Sequence, residues 1–248
     1  MQWNDQGIVL SIRPFGEGKA IVTLLTENHG KASGLCRGTS KPSTRGLLQT
    51  GNLLCADWRG RLAEHLGAFT LELRKPYAAQ IFHLPTALEL LCSACELCQN
   101  SLAEHDPHPL LFKQLCALLE ALNSKKNPLF SYLNFELQLL EAAGFALDLS
   151  HCAATGQTES LFYISPKTGR AVSKEAGKPY HDRLFRLPEI LRAGNHNSSI
   201  EDCKLALEIT GFFLQNHILS TQQKQLPNSR SRALSFFFEE NLKAALAH

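Results

Sequence analysis

From Gly7 to Phe15 apolar and polar positions alternate, with Ile8, Leu10 and Ile12 on one face and Val9, Ser11 and Arg13 on the other, which predicts a strand. Pro14 to Gly18 reads as a turn. Ala20 to Thr26, rich in Ile, Val, Thr and Leu, predicts a second strand, Asn28-His29-Gly30 a tight hairpin turn, and Lys31 to Cys36 a third strand. Gly34 to Gly46 carries glycines, a proline and the hydroxyl residues Thr39, Ser40, Ser43 and Thr44, a composition that disfavours a regular helix or a central strand. After a short link from Leu47 to Gly51, Asn52 to Arg59 predicts a fourth strand. Leu62 to Leu73 predicts a fifth, with Leu66, Ala68, Thr70 and Glu72 alternating against Gly67, Phe69, Leu71 and Leu73. Five short strands in roughly 75 residues point to a small barrel.

The period then changes. Thr86 to Leu102 reads as a helix, with Leu88, Leu91, Cys95 and Leu102 among its apolar positions. Asp106-Pro107 predicts a capped start for a second helix through Leu111, Leu115, Leu118, Leu119 and Leu122. Asn127-Pro128 repeats that signal before a third, with Phe130, Leu133, Leu137 and Leu140 as its apolar face and Gly144 as its C-terminal cap. His151 to Lys178 breaks the pattern: Leu161 to Ile164 and Arg170 to Val172 read as the strands of a small hairpin about the turn Ser165 to Gly169. A short helix from Leu187 to Arg192 follows, then a longer one from Ser199 to Leu219 with Leu205, Ile209, Phe212 and Phe213 inward. A last helix runs from Ser229 to Ala247. The order predicts an α+β chain, a five-stranded barrel attached to a helical body. The barrel domain is placed at 1–79 and the helical domain at 80–248, with the hairpin insert at about 148–178.

Composition adds less than distribution. The net charge is only +2 over 248 residues. Up to Pro76, however, there are 10 basic and 6 acidic residues, an excess of +4 that leaves −2 for the remainder. That asymmetry favours an N-terminal module facing a polyanion. Eight cysteines suggest disulfides at first sight, but Cys92, Cys95, Cys98, Cys116 and Cys203 fall in helix-like segments and Cys36 and Cys55 in strand-like ones, as free buried thiols do in a reducing compartment. No apolar run approaches membrane-spanning length, and the start lacks a basic segment before its apolar run. The expectation is a cytoplasmic protein without membrane contact.

The candidate chemistry lies in Gly34 to Gly46. This stretch carries Arg37, Lys41 and Arg45, and no acidic residue occurs between Glu27 and Asp57. With Arg13 and Lys19 at the neighbouring turn, these five form a candidate phosphate-binding surface, since five-stranded barrels bind oligonucleotides with a strand face and flanking loops. The alternative is a merely solvated loop. Aromatic partners are sparse in the segment, namely Trp3, Phe15, Trp58 and Phe69, and Trp58 or Phe69 serves equally well as core. Contacts to the nucleic-acid backbone are therefore expected to dominate over base reading.

Three metal-like patterns give way to simpler readings. Cys92, Cys95 and Cys98 have iron–sulfur spacing, but on a helix, residues three apart fan by about 60° per step. His105-Asp106-Pro107-His108 reads as a helix start. The hairpin has a zinc-ribbon layout with ligand positions 152, 155, 173 and 176, of which only Cys152 is a cysteine. Four ligands are needed, and His151 and His181 lack knuckle spacing, so no zinc or other cofactor is expected. No Walker loop, G-x-S-x-G or H-E-x-x-H motif occurs, and no catalytic residue is assigned.

Several stretches together resemble the RecO family of bacterial DNA repair and recombination mediators. These are the segment from Gly7 to Gly18, Leu24 to Lys31 with its T-E-N-H-G-K run, and Arg37-Gly38 with the basic loop. Phe135 to Phe145, Leu147 to Cys152, Phe162 to Val172, and Ser229-Arg230 with Leu234 follow in order. The resemblance implies an N-terminal OB-type barrel, a helical domain and a zinc-ribbon-like hairpin. It implies binding of single- and double-stranded DNA, annealing of complementary strands, and loading of the recombinase RecA together with RecR. It further implies docking of the C-terminal tail of the single-stranded DNA-binding protein, a nucleoid-associated location and a free monomer. Many members carry a four-cysteine zinc site, from which this chain departs. Lys113, Lys125 and Lys126 are weak candidates for tail contacts. An OB-fold adaptor for a protein partner and an enzyme with a dispersed site remain the alternatives.

Overall fold

Strand β1 runs from Gln2 to Pro14, five residues earlier than the alternation indicated. The computed structural model describes residues 1–62, 66–124, 128–193 and 199–246. Lys125, Lys126 and Asn127, and part of the segment before the fifth strand, lie outside them. Strands β2 (Lys19–Thr26) and β3 (Gly30–Arg37) follow. The six-residue helix α1 (Pro42–Leu47) then leads to β4 (Leu53–Arg59) and β5 (Gly67–Lys75). The five strands close into a barrel in the order β1-β2-β3-β5-β4, with β4 pairing back onto β1. All pairings are antiparallel except the short β3–β5 contact at Gly34↔Gly67 and Leu35↔Ala68.

The expected faces of β1 need correction. The β1–β2 register shifts between Val9 and Ser11, so Leu10 is an extra residue and the faces exchange there. Ile12 therefore joins Val9 on the interior side, opposite Val22, instead of sharing a face with Ile8. The interior holds Val9, Val22, Leu24, Ala32, Cys36, Leu54, Ala56, Trp58 and Phe69. Trp58 and Phe69 are thus core. The Trp58 indole N–H donates to the Ser33 carbonyl at 3.1 Å, which satisfies its one polar group inside the barrel.

Helix α1 overturns the expectation that residues 34–46 lack regular structure. Pro42 sits in its first turn with φ already suited to a helix. Its last carbonyls, on Gly46 and Leu47, accept from the Asn52 amide at 3.1 Å each. Leu47 also packs on the barrel core. A helix this short owes its stability to such tertiary contacts rather than to its own sequence.

Beyond the barrel come α2 (Tyr77–Ile81), α3 (Pro85–Ser101) and α4 (Pro109–Leu122). The start of α4 also departs from expectation. His108, not Asp106, is its N-cap residue, and Pro109, not Pro107, occupies the first turn. Two prolines two residues apart carry the same signal, and the second is the one followed by the apolar stripe. Helices α3 and α4 cover outward residues of the barrel. Ile8 and Leu25 face each other on the outside of the sheet, yet both are fully buried. The Lys31 ammonium donates to the Gln99 carbonyl at 2.9 Å, and the Cys95 thiol reaches the Val9 carbonyl at 3.7 Å. Glu120 on α4 accepts from Tyr77 at 2.6 Å and pairs with Lys75.

The remaining elements are α5 (Leu129–Ala142), β6 (Leu161–Ile164), β7 (Ala171–Ser173), α6 (Lys174–Gly177), β8 (Phe185–Arg186), α7 (Glu189–Ala193), α8 (Ile200–Phe213) and α9 (Asn228–Leu246). The hairpin is joined by a third strand, giving the sheet order β7-β6-β8. Helix α8 widens into a π-helix over Leu214–Leu219. The buried face of α5 is rotated from the expected one. Leu129, Tyr132, Leu133, Glu136 and Leu140 are inside, while Phe130 and Leu137 are only partly covered. Glu136 is tolerated there because the Thr210 hydroxyl on α8 donates to it at 2.5 Å.

Contacts divide the chain into two compact units, Met1–Pro128 with Pro227–His248, and Leu129–Leu226. This differs from a division at residue 79. Helix α3 contacts β1 and helix α4 contacts β2. Helix α9 packs on α3, where Arg232 forms a two-pronged pair with Glu89 at 2.7 and 2.8 Å.

Candidate nucleic-acid interface

The strand register assembles what the sequence spaces apart. Lys19 lies directly opposite Arg37 on the antiparallel β2–β3 ladder, and Arg13 lies opposite Ile21 on the same outward face. The β1–β2 turn and the segment after β3 are held together by backbone bonds, with Gly38 and Thr39 N–H both donating to the Gly18 carbonyl at 2.9 and 3.2 Å. Lys41 is pinned by its N–H to the Gly38 carbonyl at 3.1 Å, and it precedes α1, whose last turn carries Arg45. Arg13, Lys19 and Arg37 thus share one edge of the barrel, and the segment with Lys41 and Arg45 is hydrogen-bonded to it.

All five side chains are exposed. Among the described residues none has an acidic partner within ion-pair distance. Like charges placed opposite each other on a ladder cost stability. The Lys19–Arg37 pairing is a cost that binding of an anion would remove.

Among the aromatic residues of the segment, Phe15 is the one free to stack. It is 51 % exposed in the β1–β2 turn, between Arg13 and Lys19, with its N–H on the Lys19 carbonyl at 3.0 Å. Trp3 is stacked between His29, at 4.3 Å, and Trp58, at 5.6 Å. Beside Arg37 an open groove of about 670 Å³ runs between β3, α1 and β5, lined by Leu35, Ser43, Thr44, Leu47, Phe69 and Leu71 among others. The exposure of Phe15 and the Lys19–Arg37 pairing were both hidden in the sequence, where the two basic residues stand eighteen positions apart.

The hairpin brings its four knuckle positions together with a different chemistry. The Ser173 N–H donates to the Cys152 sulfur at 3.2 Å, and the Ser173 hydroxyl lies 3.6 Å from it. Ala176 N–H in turn donates to the Ser173 hydroxyl at 3.4 Å. One sulfur, two hydroxyls and an alanine do not make the four-ligand set that zinc requires. Burial pushes the Cys152 thiol up. Hydrogen bonds from the Thr155 hydroxyl, the Ser173 backbone and hydroxyl and the Ala154 backbone outweigh that and bring it down to about 6. A folded-state value below the unfolded one stabilises the fold above the unfolded value, and the gain is lost as pH falls through about 6. Cys152→Ala strips an acceptor from a site 1 % exposed, and about 1–3 kcal/mol is expected. Urea unfolding should register a larger loss at pH 8 than at pH 5.

The other metal-like patterns lie on α3 and just ahead of α4. Cys92 on α3 is exposed, whereas Cys95 and Cys98 are buried, and burial pushes both of these thiols up. The His108 ring contacts the Asp106 carboxylate at 3.2 Å, ahead of α4. Among the described residues no three His, Cys, Asp or Glu side chains are grouped to hold a metal ion, and no helix is long and apolar enough to cross a membrane.

The described residues thus form a closed five-stranded barrel with an exposed basic edge, followed by helices. Two family models divide the chain between them, Recombination protein O N terminal over residues 1–77 and Recombination protein O C terminal over residues 85–227. The DNA repair protein RecO of Rhodospirillum centenum is 43 % identical over 234 residues, covering 94 % of this chain and 93 % of that protein. That of Nitrobacter hamburgensis is 40 % identical over 253 residues, covering 100 % and 98 %. The chain belongs to the RecO family.

Proposed function

We propose that this chain is a non-catalytic mediator of DNA repair and recombination that binds single strands along the basic edge of an OB-type barrel and anneals them. The observation that carries the reading is the Lys19–Arg37 pairing on the outer ladder, with Arg13 beside it and, among the described residues, no acid within ion-pair distance of the three. Lys41 and Arg45 extend the edge, and Phe15 offers a face on which a base stacks. Two DNA strands repel through their phosphates. A cationic edge that neutralises both lowers that repulsion, and pairing then proceeds without nucleotide hydrolysis.

Membership of the RecO family supports the rest of the assignment. The chain acts in the RecF pathway with RecR, engages the acidic C-terminal tail of the single-stranded DNA-binding protein, and helps load the recombinase. Double-stranded DNA is a further ligand of the same edge. The chain works in the cytoplasm at the nucleoid and is a monomer when free. The degenerate zinc-ribbon-like hairpin is closed by the Cys152–Ser173 hydrogen bonds in place of a metal.

Binding of a labelled single-stranded oligonucleotide across a salt series tests the reading. Engagement of the five cations gives a log–log slope of about −3.5, from about 0.7 per phosphate contact. Affinity independent of salt would reject backbone binding and favour an adaptor whose barrel holds a protein.

A further inference from the structure

The unit Leu129–Leu226 holds a cluster that the barrel does not explain. In the β6–β7 ladder Leu161 pairs with Ser173 and Tyr163 with Val172, so Phe162 is an extra, bulged residue. A bulge re-aims the side chain it carries. Three cations from three separate elements surround this ring. The Lys174 ammonium of α6 lies 5.5 Å from its centroid, the Arg192 guanidinium of α7 5.7 Å and the Arg186 guanidinium of β8 5.8 Å. The ring face attracts each of them, but the cations repel one another. Arg192 has Glu189 at 3.1 Å. Lys174 and Arg186 are exposed and have no acidic partner among the described residues.

The surrounding sequence agrees. Residues 161–192 contain seven basic and three acidic side chains, an excess of four. The barrel segment up to Pro76 has the same excess, and the rest of the chain carries 8 basic against 14 acidic residues. All of the positive surplus therefore lies in these two segments. Tyr180, 58 % exposed, stands in the turn Lys178–Arg183 between α6 and β8, flanked in sequence by Lys178 and Arg183.

We propose that Phe162 and its three cations form a second phosphate-contacting surface whose ligand is single-stranded nucleic acid. Guanidinium groups take phosphate oxygens in pairs, the ammonium takes them singly, and the exposed Tyr180 ring supplies a face for a base. The exposed Tyr180, between Lys178 and Arg183 in the chain, favours a nucleic-acid strand over an acidic peptide. The proposal rests on the reading that this chain handles single strands, and it adds a contact surface outside the barrel.

The test uses the full chain and fluorescein-labelled oligo(dT) in a salt series. Lys174→Gln with Arg186→Gln should weaken binding on the order of tenfold at 0.15 M salt and reduce the slope by about 1.4. Lys174→Arg with Arg186→Lys should keep both near wild type. Both positions are exposed, and an unchanged melting temperature confirms that the variant is folded. If oligo(dT) binding and slope stay unchanged in the Gln variant while wild type binds, the second surface is overturned and the barrel reading stands. If a labelled acidic peptide loses binding and oligo(dT) does not, the surface belongs to a peptide and the proposal fails. If wild type does not bind oligo(dT) at all, the barrel reading fails first.

Discussion

Replacing Arg13, Lys19, Arg37, Lys41 and Arg45 together by Gln should lower single-stranded DNA affinity by roughly 10²–10³-fold at physiological salt and flatten the salt dependence by about 3.5 in log–log slope. Each side chain is exposed and free of an ion-pair partner among the described residues, so the fold loses nothing when its charge is removed. Removing the Lys19–Arg37 repulsion should raise the melting temperature slightly. That combination, weaker binding in a protein at least as stable, separates a binding role from a structural one. Phe15→Ala in the same assay should lower affinity without changing the slope, because stacking on a base releases no counterions.

The largest effect on stability is expected at Gly30. It closes the turn between β2 and β3 with φ +68, a conformation that costs an L-residue about 1 kcal/mol. A Cβ there would also stand 2.2 Å from the Asp106 carbonyl oxygen and 2.5 Å from its carbon, and backbone atoms have no rotamer to retreat into. The Asp106 backbone is itself held in place, since the His105 N–H donates to the Lys31 carbonyl at 2.9 Å. Gly30→Ala should therefore cost about 3 kcal/mol or more, the backbone strain plus an overpacking penalty. Gly16→Ala is the control. It has nearly the same φ, +69, but nothing within 4 Å of the new carbon, so about 1 kcal/mol is expected. Equal losses in the two variants, measured by urea unfolding, would mean that the 104–106 segment does not press on the barrel.

Sequence periodicity carried the five strands and the main helices because burial on one face leaves a direct trace in residue order. Alternation survives in β5 as far as Leu71, with Gly67 and Phe69 inside and Ala68 and Thr70 outside, but Leu73, expected on the inner face, is 45 % exposed. What periodicity misses is what depends on a partner. The extra residue at Leu10 is invisible until β1 is paired with β2. Helix α1 hides in a glycine- and serine-rich stretch because its cap, Asn52, lies outside it. The buried face of α5 leaves an incomplete trace in residue order because it includes Glu136, whose carboxylate is satisfied by Thr210 of a distant helix.

The candidate site divides in the same way. The basic residues were legible as a run without acids, and their resemblance to RecO proteins gave the run a meaning. The opposition of Lys19 to Arg37 required the register. The cations around Phe162 come from positions 174, 186 and 192 and left no local motif.

Annealing of complementary oligonucleotides coated with single-stranded DNA-binding protein tests the central claim most directly, with the wild-type chain compared against the five-fold Gln variant and no nucleotide added. Wild type should anneal the strands rapidly, added salt should suppress the reaction, and the variant should anneal at a rate near the uncatalysed one. Annealing by the variant at the wild-type rate would contradict the claim that the barrel's basic edge brings the strands together.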